Sequence, residues 1–262
     1  MASWLPWVRR RHHRLLHTPL APEQAAVVAR NVPLAARLSP EHRATLDGLV
    51  QVFLDDKTFE GCGGLQMTDE IRLTVAALAC LLLVGLEVDD PYPGLDVIRV
   101  YPAGYRVPTR ASDGLVVLEQ QDHRLGESSG RGYVVLSWRD VLRGARDPED
   151  GQNVALHEFA HQLDAQSGAA NGAPVLGEAG LYGPWAAALG AAYEQLIHDV
   201  DAHRPTALDP YGATNPAEFF AVAVEAFFER PAALQRALPD LYAVLARYFR
   251  QDPAAQGSIR RS

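Results

Sequence analysis

The run from Val75 to Leu86 is uninterrupted in apolar character and is bounded by Arg72 and Glu87. A segment this apolar must be covered, so the chain has to fold around it. Spanning a bilayer takes about 20 such residues, and this run is shorter. It predicts a core helix, opened by Thr68-Asp69-Glu70 and carried to Gly85. At 262 residues the chain has enough material to enclose it within a single domain.

The rest of the composition fits an ordinary soluble globular protein, with 48% hydrophobic and 21% charged residues. A net charge of −8 argues against nucleic acid as a direct partner, because phosphate binding needs a basic surface. Cys62 and Cys80 are too few for a disulfide framework, and Cys80 sits inside the apolar run as a small hydrophobe. A reducing, cytoplasmic setting is the simpler reading. The start, Met1 to Trp7, lacks the apolar stretch of a secretory signal and leads into Arg9-Arg10-Arg11-His12-His13-Arg14. This basic segment, within residues 1–20, reads as a solvated helix end; contact with an acidic partner or a membrane surface is the alternative. No membrane partner is expected.

No internal repeat or low-complexity segment is present. Pro22 starts one helix, and Ser39-Pro40-Glu41 gives an N-cap, a first-turn proline and an acid for another. The pattern then changes to short β-branched or aromatic segments bounded by Gly, Pro and Asp. Residues 96–101, 114–118 and 132–138 read as strands of a small sheet. Pro148 is expected to begin a helix that stops near Gly168, followed by a Gly-rich loop over 167–183. Further helices are expected at 184–201, 216–230 and 238–250, with residues 252–262 as a flexible tail. The class is α+β, predominantly helical, with three or four strands.

Within the helix after Pro148 stands His157-Glu158-Phe159-Ala160-His161. Positions i and i+4 share a helix face one turn apart, so two imidazoles can aim at one point. Zinc takes such nitrogens at about 2.0–2.1 Å. Glu158 projects to the side of the pair, where a general base acting on a water belongs. Leu156, Phe159 and Leu163 supply a packing face. With nine histidines in the chain, this pattern is expected by chance far less than once. The competing reading is an amphipathic helix with two hydrogen-bonded histidines.

A catalytic zinc needs a third protein ligand and an open position. An extended pattern with Gly and a further ligand three and six residues after His161 fails, because Asp164 and Ser167 stand there. Glu178 lies among glycines, which make poor scaffolding, and reads as a loop carboxylate. Glu218, in Asn215-Pro-Ala-Glu218-Phe-Phe, begins an apolar helix and can serve either as ligand or as the N3 member of a capping box. Glu225 shares its face and can support the site or simply be a surface acid. Asp164 can accept the spare N–H of a ligand histidine or merely end its helix.

These residues resemble the MtfA (Mlc titration factor A) family of gluzincin-type zinc peptidases. His157-Glu-Phe-Ala-His-Gln-Leu-Asp164, Tyr211 and Asn215-Pro-Ala-Glu-Phe-Phe-Ala-Val222 carry the resemblance. Gly132-Tyr-Val-Val-Leu-Ser-Trp138, Gly64-Leu-Gln-Met-Thr-Asp-Glu70 and Ala79-Cys-Leu-Leu-Leu83 extend it over roughly residues 20–250. The resemblance implies a catalytic core similar to the anthrax lethal factor protease domain. It implies His157, His161 and Glu218 as ligands of one Zn²⁺, Glu158 as base and Tyr211 as the residue that stabilises the oxyanion. By itself Tyr211 reads as a loop tyrosine beside Pro210. Some members carry a histidine before the strand at Gly132; this chain has Leu118-Glu119-Gln120 there and His123 later, so no fourth protein ligand is expected.

The expected function is hydrolysis of peptide bonds in a peptide or protein substrate, aminopeptidase-like or as limited proteolysis. The family's best-known member binds a glucose-responsive transcriptional repressor, which adds such a repressor as a candidate partner. The rival class is a zinc-containing regulatory binding protein without physiological proteolysis, and a metal-free helical scaffold is a second rival. The intact Glu158 argues against the first, because a purely structural zinc needs no base and usually has four protein ligands.

Overall fold

The computed structural model describes residues 6–88, 90–103 and 132–259. The fold is α+β and mainly helical. Its helices are α1 (Pro6–Leu16), α2 (Pro22–Asn31), α3 (Pro40–Asp56), α4 (Asp69–Leu81), α5 (Trp138–Arg146) and α6 (Val154–Ala165), followed by α7 (Tyr182–Asp201), α8 (Pro216–Glu229), α9 (Pro231–Ala237), α10 (Pro239–Phe249) and α11 (Pro253–Ile259).

Helix α4 is the buried centre that the apolar run demands. Thr68 caps it through the N–H of Ile71, and every residue from Leu73 to Leu81 is buried. It closes at Leu81 rather than Gly85, and the apolar residues continue as turns. Gly85 is where the end of α10 comes closest: a Cβ there would lie 2.1 Å from the carbonyl oxygen of Phe249. Only glycine leaves room for that approach.

Strands β1 (Thr58–Gly61), β2 (Val97–Tyr101) and β3 (Tyr133–Ser137) form a parallel sheet in the order β1-β2-β3, with Ile98 between Phe59 and Val134. Two of the three expected strands are therefore present, and the third, 114–118, lies outside the described residues. The strand 132–138 ends one residue early, because the Ser137 hydroxyl accepts from Asp140 N–H and starts α5 at Trp138. Strand β1 and helix α5 were not expected. Nor was α11, which occupies part of the segment read as a frayed tail.

Helix α6 begins at Val154 rather than at Pro148, capped by the Asn153 side chain on Leu156 N–H. Its packing face is the expected one, with Leu156, Phe159 and Leu163 buried. Phe159 meets Phe53 of α3 at 5.8 Å and Tyr92 at 5.0 Å between ring centroids. Tyr92 in turn donates its hydroxyl to the Ala79 carbonyl of α4, 2.7 Å away. Through these rings α6 is locked to the centre, and its opposite face meets α8.

Replacing Phe159 by alanine should therefore lower stability by about 3–5 kcal/mol. Urea unfolding would show a reduced midpoint with an unchanged slope. A loss below about 1 kcal/mol would show that α6 does not depend on this contact.

Candidate metal centre

Two helices build the centre from their facing sides. From α6 come His157, Glu158 and His161, all buried, and from α8 comes Glu218, 1% exposed. The Nε2 atoms of the two histidines lie 3.1 Å apart. Glu218 Oε2 is 2.9 Å from His157 Nε2 and 3.4 Å from His161 Nε2. Two ligand atoms on a tetrahedral ion at about 2.0–2.1 Å would be separated by roughly 3.3 Å, so all three distances suit one cation at their centre. The set of two imidazoles and a carboxylate suits a divalent transition metal. Glu218 Oε1 is buried with no hydrogen-bond partner, a cost that a nearby cation removes.

The capping-box reading of Glu218 is half realised. Asn215 caps α8 by accepting from the N–H groups of Ala217 and Glu218, but the Glu218 carboxylate turns to the histidines. Cap and site are compatible, because Glu218 offers its backbone to the cap and its side chain to the pair. Glu178, by contrast, is exposed and pairs with Arg247 at 2.6 Å.

Glu225, two turns further along α8, orients His157. Its Oε1 lies 2.7 Å from His157 Nδ1, and its Oε2 accepts from the backbone N–H of Asn153. Holding the proton on Nδ1 leaves Nε2 as the atom that faces Glu218 and His161. Asn153 then donates its side-chain amide to Glu229 Oε1 at 2.9 Å. Glu218, Glu225 and Glu229 thus form one acidic stripe, at i, i+7 and i+11, along an otherwise apolar helix. Sequence reasoning missed Asn153 and Glu229. The i+4 spacing of Glu229 from Glu225 was the available signal.

Asp164 reaches back to the Gly-rich loop. It is fully buried and its Oδ2 accepts from Gly172 N–H at 2.8 Å. The Trp185 indole holds the Gly172 carbonyl at 3.1 Å, and a Cβ on Gly172 would lie 2.5 Å from the Pro216 carbonyl oxygen. Asp164 therefore ties the Gly-rich loop onto the first turn of α8, where Glu218 sits. Tyr211 lies on a 3-10 turn (Pro210–Ala213) capped by Asp209, with its ring 6.2 Å from that of His157. Both line a cavity of about 160 Å³ shared with Asn153, Val222 and Glu225.

Charge explains the cluster's behaviour. Burial works against a charged His157, but the hydrogen bonds to Glu218 and Glu225 prevail and raise it to about 10. Burial also opposes ionisation of Glu218, yet the two histidines hold its carboxyl well below the usual range. Burial pushes Glu229 up to about 8, against the Asn153 hydrogen bond. The pairing of His157 stabilises the metal-free fold fully below about pH 6.5 and is lost as pH rises through about 10.

A metal ion taking His157 Nε2 must displace that proton. Calorimetry at about pH 7.5 in buffers of different ionisation enthalpy should register release of about one proton per metal bound. Binding with no proton release would mean that the ion does not engage His157.

The glucose-regulated metallo-peptidase M90 family matches residues 5–250. A Synechocystis sp. protein, slr2042, is 43% identical over 252 residues, covering 95% of this chain and 90% of that protein. Mlc titration factor A of Pectobacterium atrosepticum is 33% identical over 239 residues, 89% of this chain and 87% of its own. The protein of that name from Klebsiella pneumoniae is 34% identical over 230 residues, covering 85% and 84% respectively. This chain belongs to the glucose-regulated metallo-peptidase M90 family.

Proposed function

We propose that this protein is a zinc-dependent peptidase in which His157, His161 and Glu218 hold the ion. The observation that carries the reading is the convergence of three ligand atoms, 2.9–3.4 Å apart, from two helices locked by core packing. Zinc bound there supplies Lewis acidity to a substrate carbonyl and to a water, whose pKa it lowers toward ~7.

The chain's own residues supply the remainder. Glu158, beside the pair on the same helix, takes the water's proton during attack and delivers it to the departing amine. Tyr211, at the mouth shared with His157, donates its hydroxyl to the carbonyl oxygen as negative charge grows there. Glu225 keeps the His157 ring turned to its task. Strand β3 lies at an edge of the described sheet and offers its backbone for an extended peptide to add beside it. An aminopeptidase-like or limited proteolysis fits this layout.

A second reading is capture of a transcriptional repressor, and the name Mlc titration factor A carried by relatives supports it. The two readings separate experimentally. Glu158→Gln should retain metal and lose hydrolysis of chromogenic peptides by at least about 100-fold. Turnover surviving in that variant rules out Glu158 as the base. Tyr211→Phe should slow turnover while metal content stays unchanged; loss of metal there would contradict its role. A wild-type protein that cleaves no peptide, blocked or unblocked, yet binds a repressor would favour the second reading.

A further inference from the structure

Helix α1 carries four arginines and no acid, in a chain of net charge −8. How it docks decides which way they face. Val8 and His12 are buried, and His12 Nε2 meets Asp56 Oδ1 of α3 at 2.9 Å. Arg11 pairs with the neighbouring Asp55. At the end of α1, the Leu16 carbonyl lies 2.1 Å from where a Cβ on Gly48 would be, so α1 presses onto α3 where only glycine fits. These contacts fix the helix's roll.

With that roll fixed, Arg9, Arg10, His13, Arg14 and His17 point to solvent. Among the described residues, Arg9, Arg10 and Arg14 make no ion pair. Trp7 is 62% exposed and falls at i, i+3 and i+7 with Arg10 and Arg14, so one stripe carries an indole and two guanidiniums. A solvated helix end accounts for the arginines. It gives no reason for an indole left in water among them.

We propose that the outward face of α1 binds the surface of an anionic lipid bilayer. Indoles favour the interface, where the ring meets apolar chains and its N–H meets headgroups. Arginines close to an anionic leaflet gain attraction that falls off within a Debye length. A surface with an apolar layer beneath an anionic one uses both. A nucleic acid would use the charge but offers a lone exposed indole little unless its bases are unpaired. One short helix gives weak, reversible attachment rather than insertion.

The test is co-sedimentation of the full chain with vesicles at about 0.1 M salt. Vesicles of phosphatidylcholine with about 30% phosphatidylglycerol should bind the protein, and pure phosphatidylcholine vesicles should not. Each arginine contributes about fivefold, so Arg9→Gln/Arg10→Gln/Arg14→Gln should weaken partitioning by about 100-fold. Trp7→Ala should weaken it too, with Arg9, Arg10 and Arg14 intact. These positions are exposed, so thermal unfolding should be unchanged and should separate lost binding from lost fold. Equal sedimentation with both vesicle types, or binding undiminished in the triple variant, overturns the proposal. So does tighter binding to a single-stranded oligonucleotide or to polyglutamate than to the anionic vesicles.

Discussion

Two imidazoles and a carboxylate share one buried position between α6 and α8, and the packing of both helices has to keep them there. Taking such groups out of water costs several kcal/mol each unless their partners are well placed. The chain meets that cost with geometry. Phe159 and its aromatic neighbours fix α6 from behind, and the Asn215 cap with the Gly172 contact fixes the start of α8. Glu225 fixes the ring of His157. The buried Oε1 of Glu218 has no hydrogen-bond partner, and a divalent ion suits its position.

Order also runs outward from the histidines. Glu225 joins His157 to the backbone of Asn153, and Asn153 joins it to Glu229. Asn153 is also the cap of α6, so the residue that starts the histidine-bearing helix lies next to the carboxylate that orients its first histidine. Gly144 of α5 allows this closeness, since a Cβ there would lie 2.6 Å from the carbonyl oxygen of Gln152. The site is thus held by backbone ends as well as by side chains.

Much of this was legible in the residues because periodicity and spacing are local. The histidine pair, the apolar face of α6 and the helix at Pro216 follow from the 3.6-residue repeat. The choice of Glu218 over Glu178 needed the family resemblance, because Asn215 makes an N-cap whichever way the carboxylate turns. Other features depend on distant contacts. Strand β1 is four residues long with three exposed, and it exists because β2 pairs with it. Pro148 resembles a helix start, but Asp147 and Asp150 accept from Glu149 and Gln152 N–H and make turns instead. Asp164 stands three residues beyond His161, and its bond to Gly172 depends on the return path of the loop, which no local pattern encodes.

The most direct test is X-ray absorption at the zinc edge on metal-loaded protein, beside Glu218→Ala. The wild type should show two imidazole nitrogens at about 2.0–2.1 Å with light oxygen neighbours. The variant should lose metal or exchange its carboxylate oxygen for solvent. A shell of four protein ligands, or one that Glu218→Ala leaves untouched, would contradict this ligand set.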